Sequence, residues 1–138
     1  MKTAITVVAM AAALAGLFWY QSKALGPLTP SREIGIVLAI IGFLLWAVAR
    51  IELGRSFSVR AKATQLVTRG IYSKIRNPVY VFGTVFIVGM ILWAARPKWL
   101  LALVIIVPMQ VLRARKEAQV LEAKFGDAYR AYRAHTWL

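Results

Sequence analysis

The sequence predicts an all-α integral membrane protein with about four transmembrane helices and a cytoplasmic C-terminal helix. Three observations predict it. The chain has 138 residues, is 60% hydrophobic and has a mean hydropathy of +0.65. Its charges are clustered, so that 3–22, 34–49, 77–95 and 99–112 carry none. Lysine and arginine also crowd into alternate intervals between those stretches, as the positive-inside rule requires of cytoplasmic segments. A soluble domain of this size exposes too much of its surface to hide four such stretches.

Each element follows in order. A hydrocarbon core about 30 Å thick needs roughly 20 helical residues. The first predicted span, 3–22, has that length. Lys2, the apolar run and Ala13-Leu14-Ala15 also resemble a signal peptide. The run continues through Trp19 and Tyr20, which suit an interfacial aromatic belt, so a retained helix is the reading. Gly26-Pro27-Leu28-Thr29-Pro30-Ser31 is a turn that starts the second span, about 33–50, whose terminal Glu33 and Arg50 reach the headgroups. A basic cytoplasmic loop over 51–76 follows. Asn77-Pro78 opens the third span, 78–95, with proline in the first helical turn where its missing N–H is tolerated. Arg96-Pro97-Lys98 is a tight connection to the fourth span, 98–113, which contains Pro108. The tail, 114–138, is helical with Ala118, Leu121, Phe125 and Tyr129 near one face. Gly126 weakens or breaks it. The whole chain, 1–138, reads as one membrane domain.

Orientation places the termini. All but Lys23, Arg32, Arg96 and Lys98 of the 18 Lys and Arg fall on one side of a four-span arrangement. That side is cytoplasmic by the positive-inside rule, and so are both termini. The net charge of +13 flanks membrane spans and accompanies no nucleic-acid motif, so anionic headgroups are the expected partner and nucleic acid is not. With no cysteine there is no thiolate chemistry. His135 is the single histidine and is expected in a frayed C terminus, so no metal site is predicted. The acidic residues Glu33, Glu52, Glu117, Glu122 and Asp127 all lie at span ends, in loops or in the tail. A proton-coupled exporter, which needs an embedded carboxylate, is disfavoured.

The polar groups instead collect at one face. If the last two spans form a hairpin, the Arg76–Tyr80 end lies beside the Leu112–Glu117 end. The N-terminus of the third span then presents its positive dipole end to the cytoplasm, where a carboxylate or phosphate binds well. Each residue also has a plainer role: Arg76 and Lys74 as headgroup anchors, Tyr72, Tyr80, Tyr129 and Tyr132 as interfacial tyrosines, and Glu117 as partner of Arg113 four residues earlier. The joint arrangement is what points to a site.

Four ordered elements give that arrangement a likeness. Leu53-Gly54-Arg55-Ser56-Phe57-Ser58 resembles LG-x-x-F-S, and Leu66-Val67-Thr68-Arg69-Gly70-Ile71-Tyr72 resembles LVT-x-G-P-Y. Arg76-Asn77-Pro78-Val79-Tyr80 with Gly83 resembles RHP-x-Y-x-G. Glu117, Leu121, Phe125-Gly126, Tyr129 and Tyr132 resemble EE-x-x-L-x-x-x-FG-x-x-Y-x-x-Y. The set is similar to the isoprenylcysteine carboxyl methyltransferase family and its bacterial relatives. The resemblance implies an integral methyltransferase, here of a bacterial inner membrane, using S-adenosylmethionine on a hydrophobic or lipid-like methyl acceptor. It implies that Tyr72, Arg76, Asn77, Pro78 and Tyr80 line the cofactor pocket and that Glu117 and Tyr129 close it. Asn77 stands where the family has histidine, Ile71 where it commonly has proline, and Ala118 where it has a second glutamate. The alternative is a non-catalytic membrane scaffold or anionic-lipid-binding protein. Isoprenylated carboxylates, phospholipid amines and small hydrophobic thiols all stay open as acceptors, and the oligomeric state is not specified.

Overall fold

The structure is a computed structural model that describes residues 2–53, 68 and 70–137. The motif residues Gly54–Ser58, Leu66, Val67 and Arg69, and most of the predicted cytoplasmic loop, lie outside the described residues. Helices α1 (Lys2–Ala24) and α2 (Pro30–Leu53) come first, then a 3-10 turn at Gly70–Ser73. Helix α3 (Pro78–Trp93), a 3-10 segment (Pro97–Ala102), α4 (Leu103–Phe125) and α5 (Asp127–Ala134) complete the chain. No strand occurs among the described residues, and the protein is an all-α membrane protein.

Among the described residues, three helical segments are long and apolar enough to cross a bilayer: Lys2–Ala24, Pro30–Leu53 and Pro97–Phe125. Helix α3 is shorter, at 16 residues, or about 24 Å at 1.5 Å per residue. It stops two residues before the expected boundary because the chain turns there. Ala95 has φ +53°, and Pro97 disfavours helix in the residue before it. Arg32 fastens this turn. It is only 3% exposed. Its Nε donates to the Trp93 carbonyl at 3.0 Å, and its Nη1 lies within 3.0 Å of the carbonyls of Leu25, Gly26 and Pro27. One guanidinium thereby satisfies the turn before α2 and the C-terminal end of α3 together.

The fourth predicted span and the first part of the tail share one helix, α4. Helix α4 runs through Arg113 without a break, since Arg113–Lys116 are good helix formers. It stops at Gly126, whose φ of +54° and ψ of −119° suit glycine alone. Glycine thus breaks the tail where its sequence position suggested.

The tightest packing joins α2 to α3. Gly35, Ala39 and Gly42 share one face of α2 and are buried against Gly89 and Phe86 of α3. A Cβ on Gly35 would lie 2.7 Å from the Gly89 carbonyl oxygen, and one on Gly42 would lie 2.6 Å from the Phe86 nitrogen. A Cβ on Gly89 would strike the backbone nitrogen of Ala39. The two backbones therefore touch, as small residues permit in a membrane, where dispersion rather than water expulsion holds helices together. Phe43 stacks on Trp46 and tilts against Phe86 at 5.8 Å beside this contact. Helix α1 is added through Phe18, whose ring stacks on Trp93 at 5.0 Å.

Gly89→Leu will force the helices apart. The expected cost is about 1–3 kcal/mol of stability, the usual range for overpacking. Gly16, with nothing within 4 Å of its would-be Cβ, is the control: Gly16→Ala will be neutral or stabilising by roughly 0.5–1 kcal/mol. Thermal unfolding of both variants in detergent, followed by circular dichroism, checks the contrast.

Candidate functional site

Glu52 at the end of α2 begins the site. Its Oε2 accepts the Ile71 N–H at 2.9 Å, anchoring the first turn of the Gly70–Ser73 segment. Gly70 has φ +60°, and the Glu52 carboxylate occupies the space where a Cβ would be. Glycine is required there on both counts. This anchor sets Tyr72 inward, 6% exposed, with its hydroxyl lacking a hydrogen-bond partner among the described residues.

The chain then runs into α3. Asn77 is its N-cap, and its carbonyl accepts from the N–H groups of Tyr80 and Val81. Pro78 occupies the first helical turn and is fully buried. The C-terminal segment folds back over this junction. Trp137 N–H donates to the Lys74 carbonyl at 2.7 Å, and Arg76 N–H donates to the Trp137 carbonyl at 2.9 Å, making an isolated parallel bridge between Ile75 and Trp137. Tyr132 hydroxyl donates to the Tyr72 carbonyl at 2.9 Å. Beneath it Tyr129 is 1% exposed. The tail beyond His135 is thus pinned rather than frayed, because it supplies the backbone partners that Lys74 and Arg76 need.

The two ends of the hairpin meet. Tyr80 hydroxyl donates to Glu117 Oε1 at 2.5 Å, a short charge-assisted bond between α3 and α4. Deeper along the same helices, Thr84 Oγ1 lies 2.8 Å from Gln110 Oε1. Between and around these two links lies a cavity of about 820 Å³. That size falls in the roughly 300–1,000 Å³ range of small-ligand pockets, though the space is a half-open cleft. Its walls are graded. Arg76, Arg115, Gln119, Glu122 and Arg133 line one end, while Val81, Val85, Val107 and Val111 line the other.

Of the residues named from sequence, Arg76 and Tyr80 line the cavity directly, and Glu117 is bonded to its wall through Tyr80. Tyr72, Asn77, Pro78 and Tyr129 build the junction at its polar end. Glu117 pairs with Tyr80 across the hairpin. Sequence reading missed Thr84, Gln110 and Arg133. Thr84 and Gln110 had a signal: each is a hydrogen-bonding side chain in an otherwise apolar turn. Arg133 had none, since only the reversal at Gly126 carries it to the cavity.

Burial dominates the electrostatics of the tyrosines outside the spans. Desolvation holds Tyr72 well above the usual phenol range and raises Tyr129 as well. It pushes Tyr132 up to about 12, assisted by neighbouring Tyr129 and opposed by Arg76. All three are neutral hydrogen-bond donors at ordinary pH.

A sequence model of the phospholipid methyltransferase family matches residues 31–128. The match runs from the first turn of α2 to the first turn of α5. It includes every cavity-lining residue except Arg133. No curated protein and no solved structure matches the chain.

A raised tyrosine pKa makes a folded-state contribution that is complete below the unfolded value near 10 and is lost as pH climbs through the folded value. Stability is therefore expected to hold to about pH 10 and to fall as pH passes about 12, where Tyr132 ionises. Phenolate absorbance will rise late and together with unfolding. Full ionisation of Tyr72, Tyr129 and Tyr132 near pH 10 in folded protein would contradict the burial assigned to them.

Proposed function

The chain belongs to the phospholipid methyltransferase family of integral membrane methyltransferases, and from that premise we propose that it moves a methyl group from S-adenosylmethionine to a lipid-like acceptor. In this reading the reaction takes place at the cytoplasmic face of a bacterial inner membrane with both termini inside, an orientation that the concentration of basic residues at that end supports. The same basic end suits anionic headgroups.

The observation that carries this reading is the graded cavity between α3 and α4. Its polar end supplies cations and a carboxylate, while its apolar end reaches into the span. A water-soluble donor and a membrane-dissolved acceptor fit such a cavity from opposite ends. The residues present also fit the donor. Arg76 and the dipole of the α3 N-terminus suit its methionyl carboxylate. Glu117 suits its amino or ribose groups. The buried, unpartnered Tyr72 hydroxyl beside this junction offers one more donor. Tyr129 and Pro78 are buried within the junction.

When bound, S-adenosylmethionine supplies an already activated methyl group on a sulfonium sulfur. The chain's task is then alignment and exclusion of water rather than acid–base catalysis. Alignment alone can remove roughly 7–11 kcal/mol of a barrier in favourable cases. That suits a site without a histidine. Asn77 can donate and accept hydrogen bonds, and alignment asks no more of it. The membrane does the rest by concentrating the acceptor in two dimensions at the apolar mouth.

Isothermal titration of detergent-purified protein with S-adenosylmethionine tests the proposal. Saturable binding is expected. Arg76→Ala or Glu117→Ala will weaken it about 10- to 100-fold, the equivalent of losing a charged hydrogen bond worth roughly 1.5–3 kcal/mol. No binding by a folded wild-type protein would favour the non-catalytic scaffold instead.

A further inference from the structure

Arg32 is a buried cation without a counter-charge. The residue is 3% exposed and forms no ion pair among the described residues. Buried charges are ordinarily paired, because lost hydration is costly. Backbone carbonyls compensate part of this one. Nε donates to Trp93, and Nη1 reaches Leu25, Gly26 and Pro27. The negative end of the α3 dipole adds to their effect. Nη2, however, carries two hydrogens and makes no hydrogen bond among the described residues. Trp93 Nε1 is the only described side-chain nitrogen that is both unpartnered and sealed from the surface, so Nη2 is open. Donors thus exceed acceptors around this turn, on two neighbouring residues.

The surroundings select the chemistry that corrects the excess. Lys23, Arg96 and Lys98 join Arg32 at this end, against the single acid Glu33. None of the five is in an ion pair among the described residues. Water would satisfy hydrogens and leave the positive charge, whereas an oxyanion answers both. A planar guanidinium matches the oxygens of a phosphate. The same end exposes Trp19, Tyr20, Leu28 and Trp99. Aromatic side chains gather at headgroup depth, where lipid phosphates lie. This end is also remote from the cleft's polar mouth, since Glu52 and Asn77 stand at the opposite ends of α2 and α3.

We propose that the turn before α2 and the C-terminal end of α3 form a phospholipid site, with the lipid phosphodiester held on Arg32 Nη2. The lipid belongs to the leaflet opposite the cleft's polar end and is a structural ligand, not a methyl acceptor. Its phosphate supplies the charge that carbonyls lack and fastens α2 and α3 together at the end away from the cleft. The proposal goes beyond the methyltransferase reading and does not depend on it.

The test uses full-length protein in detergent and a phosphatidylglycerol analogue with a photoreactive group beside its phosphate. Peptide mass spectrometry maps the label, which is expected within 25–32 and 93–98. Excess phosphatidylglycerol will suppress that label, while diacylglycerol of the same chains or inorganic phosphate at the same concentration will not. Arg32→Gln will weaken the lipid's affinity about tenfold or more, the loss of a charged hydrogen bond. Arg115→Gln, in the cleft, will leave the label unchanged. Arg32 also caps the turn, so Arg32→Lys is the second variant: it keeps the charge, loses the fork and will bind with intermediate affinity. Phosphatidylglycerol will raise the thermal midpoint of the wild type more than that of either variant. A purely capping role would lower the variants' midpoints equally with and without lipid. Absence of label from these segments, equal suppression by diacylglycerol or by inorganic phosphate, or an equal lipid-dependent shift in wild type and variants would each overturn the inference.

Discussion

Backbone contact between α2 and α3 is the constraint on which the rest depends. Gly35, Ala39, Gly42 and Gly89 let two helices touch without intervening side chains. In lipid there is little hydrophobic gain from bringing apolar helices together, so close van der Waals fit must hold them. With one face of α3 committed to α2, the residues Tyr80, Val81, Thr84 and Val85 are left to border the half-open cleft that α4 lines on its other side. The arrangement thus divides one short helix: one side packs against α2 and the other borders the cleft.

Two polar links then set the distance between α3 and α4. Tyr80–Glu117 lies at the polar end and Thr84–Gln110 deeper. Each side chain satisfies another, which limits the cost of polarity within a membrane span. The cavity that remains between these links changes character along its length. Arginines and a glutamate give way to valines. That gradient arises because α4 continues past the apolar region as a single helix.

The tail completes the polar end by reversing direction. Gly126 supplies the break, and Arg130 spans it with contacts to Glu122 at 2.9 Å and Asp127 at 2.6 Å. These exposed pairs add little energy individually. The backbone bonds of Trp137 to Lys74 and Arg76, with Tyr132 on the Tyr72 carbonyl, hold the returning segment in place. The returning segment thereby packs on the junction that opens α3, and its Arg133 lines the polar end of the cavity.

Several features were legible in the residues alone. Uncharged runs of membrane length dictated helices, because unsatisfied backbone in lipid is prohibitively costly. Asn77-Pro78 marked the start of α3, and Gly126 marked the end of α4, since each restricts backbone angles locally. The four ordered elements pointed to the isoprenylcysteine carboxyl methyltransferases, to which the phospholipid methyltransferase family that matches 31–128 is related. Other features appeared only with the tertiary structure. The glycine seam of α2 and α3, the anchoring of Arg32 on Trp93, the space left for Glu52 at Gly70 and the position of Arg133 all depend on residues distant in sequence. Periodicity and local backbone preference report on one helix at a time. Which faces meet, and what volume they leave between them, is decided by close packing among helices, and that information exists only once the chain has folded.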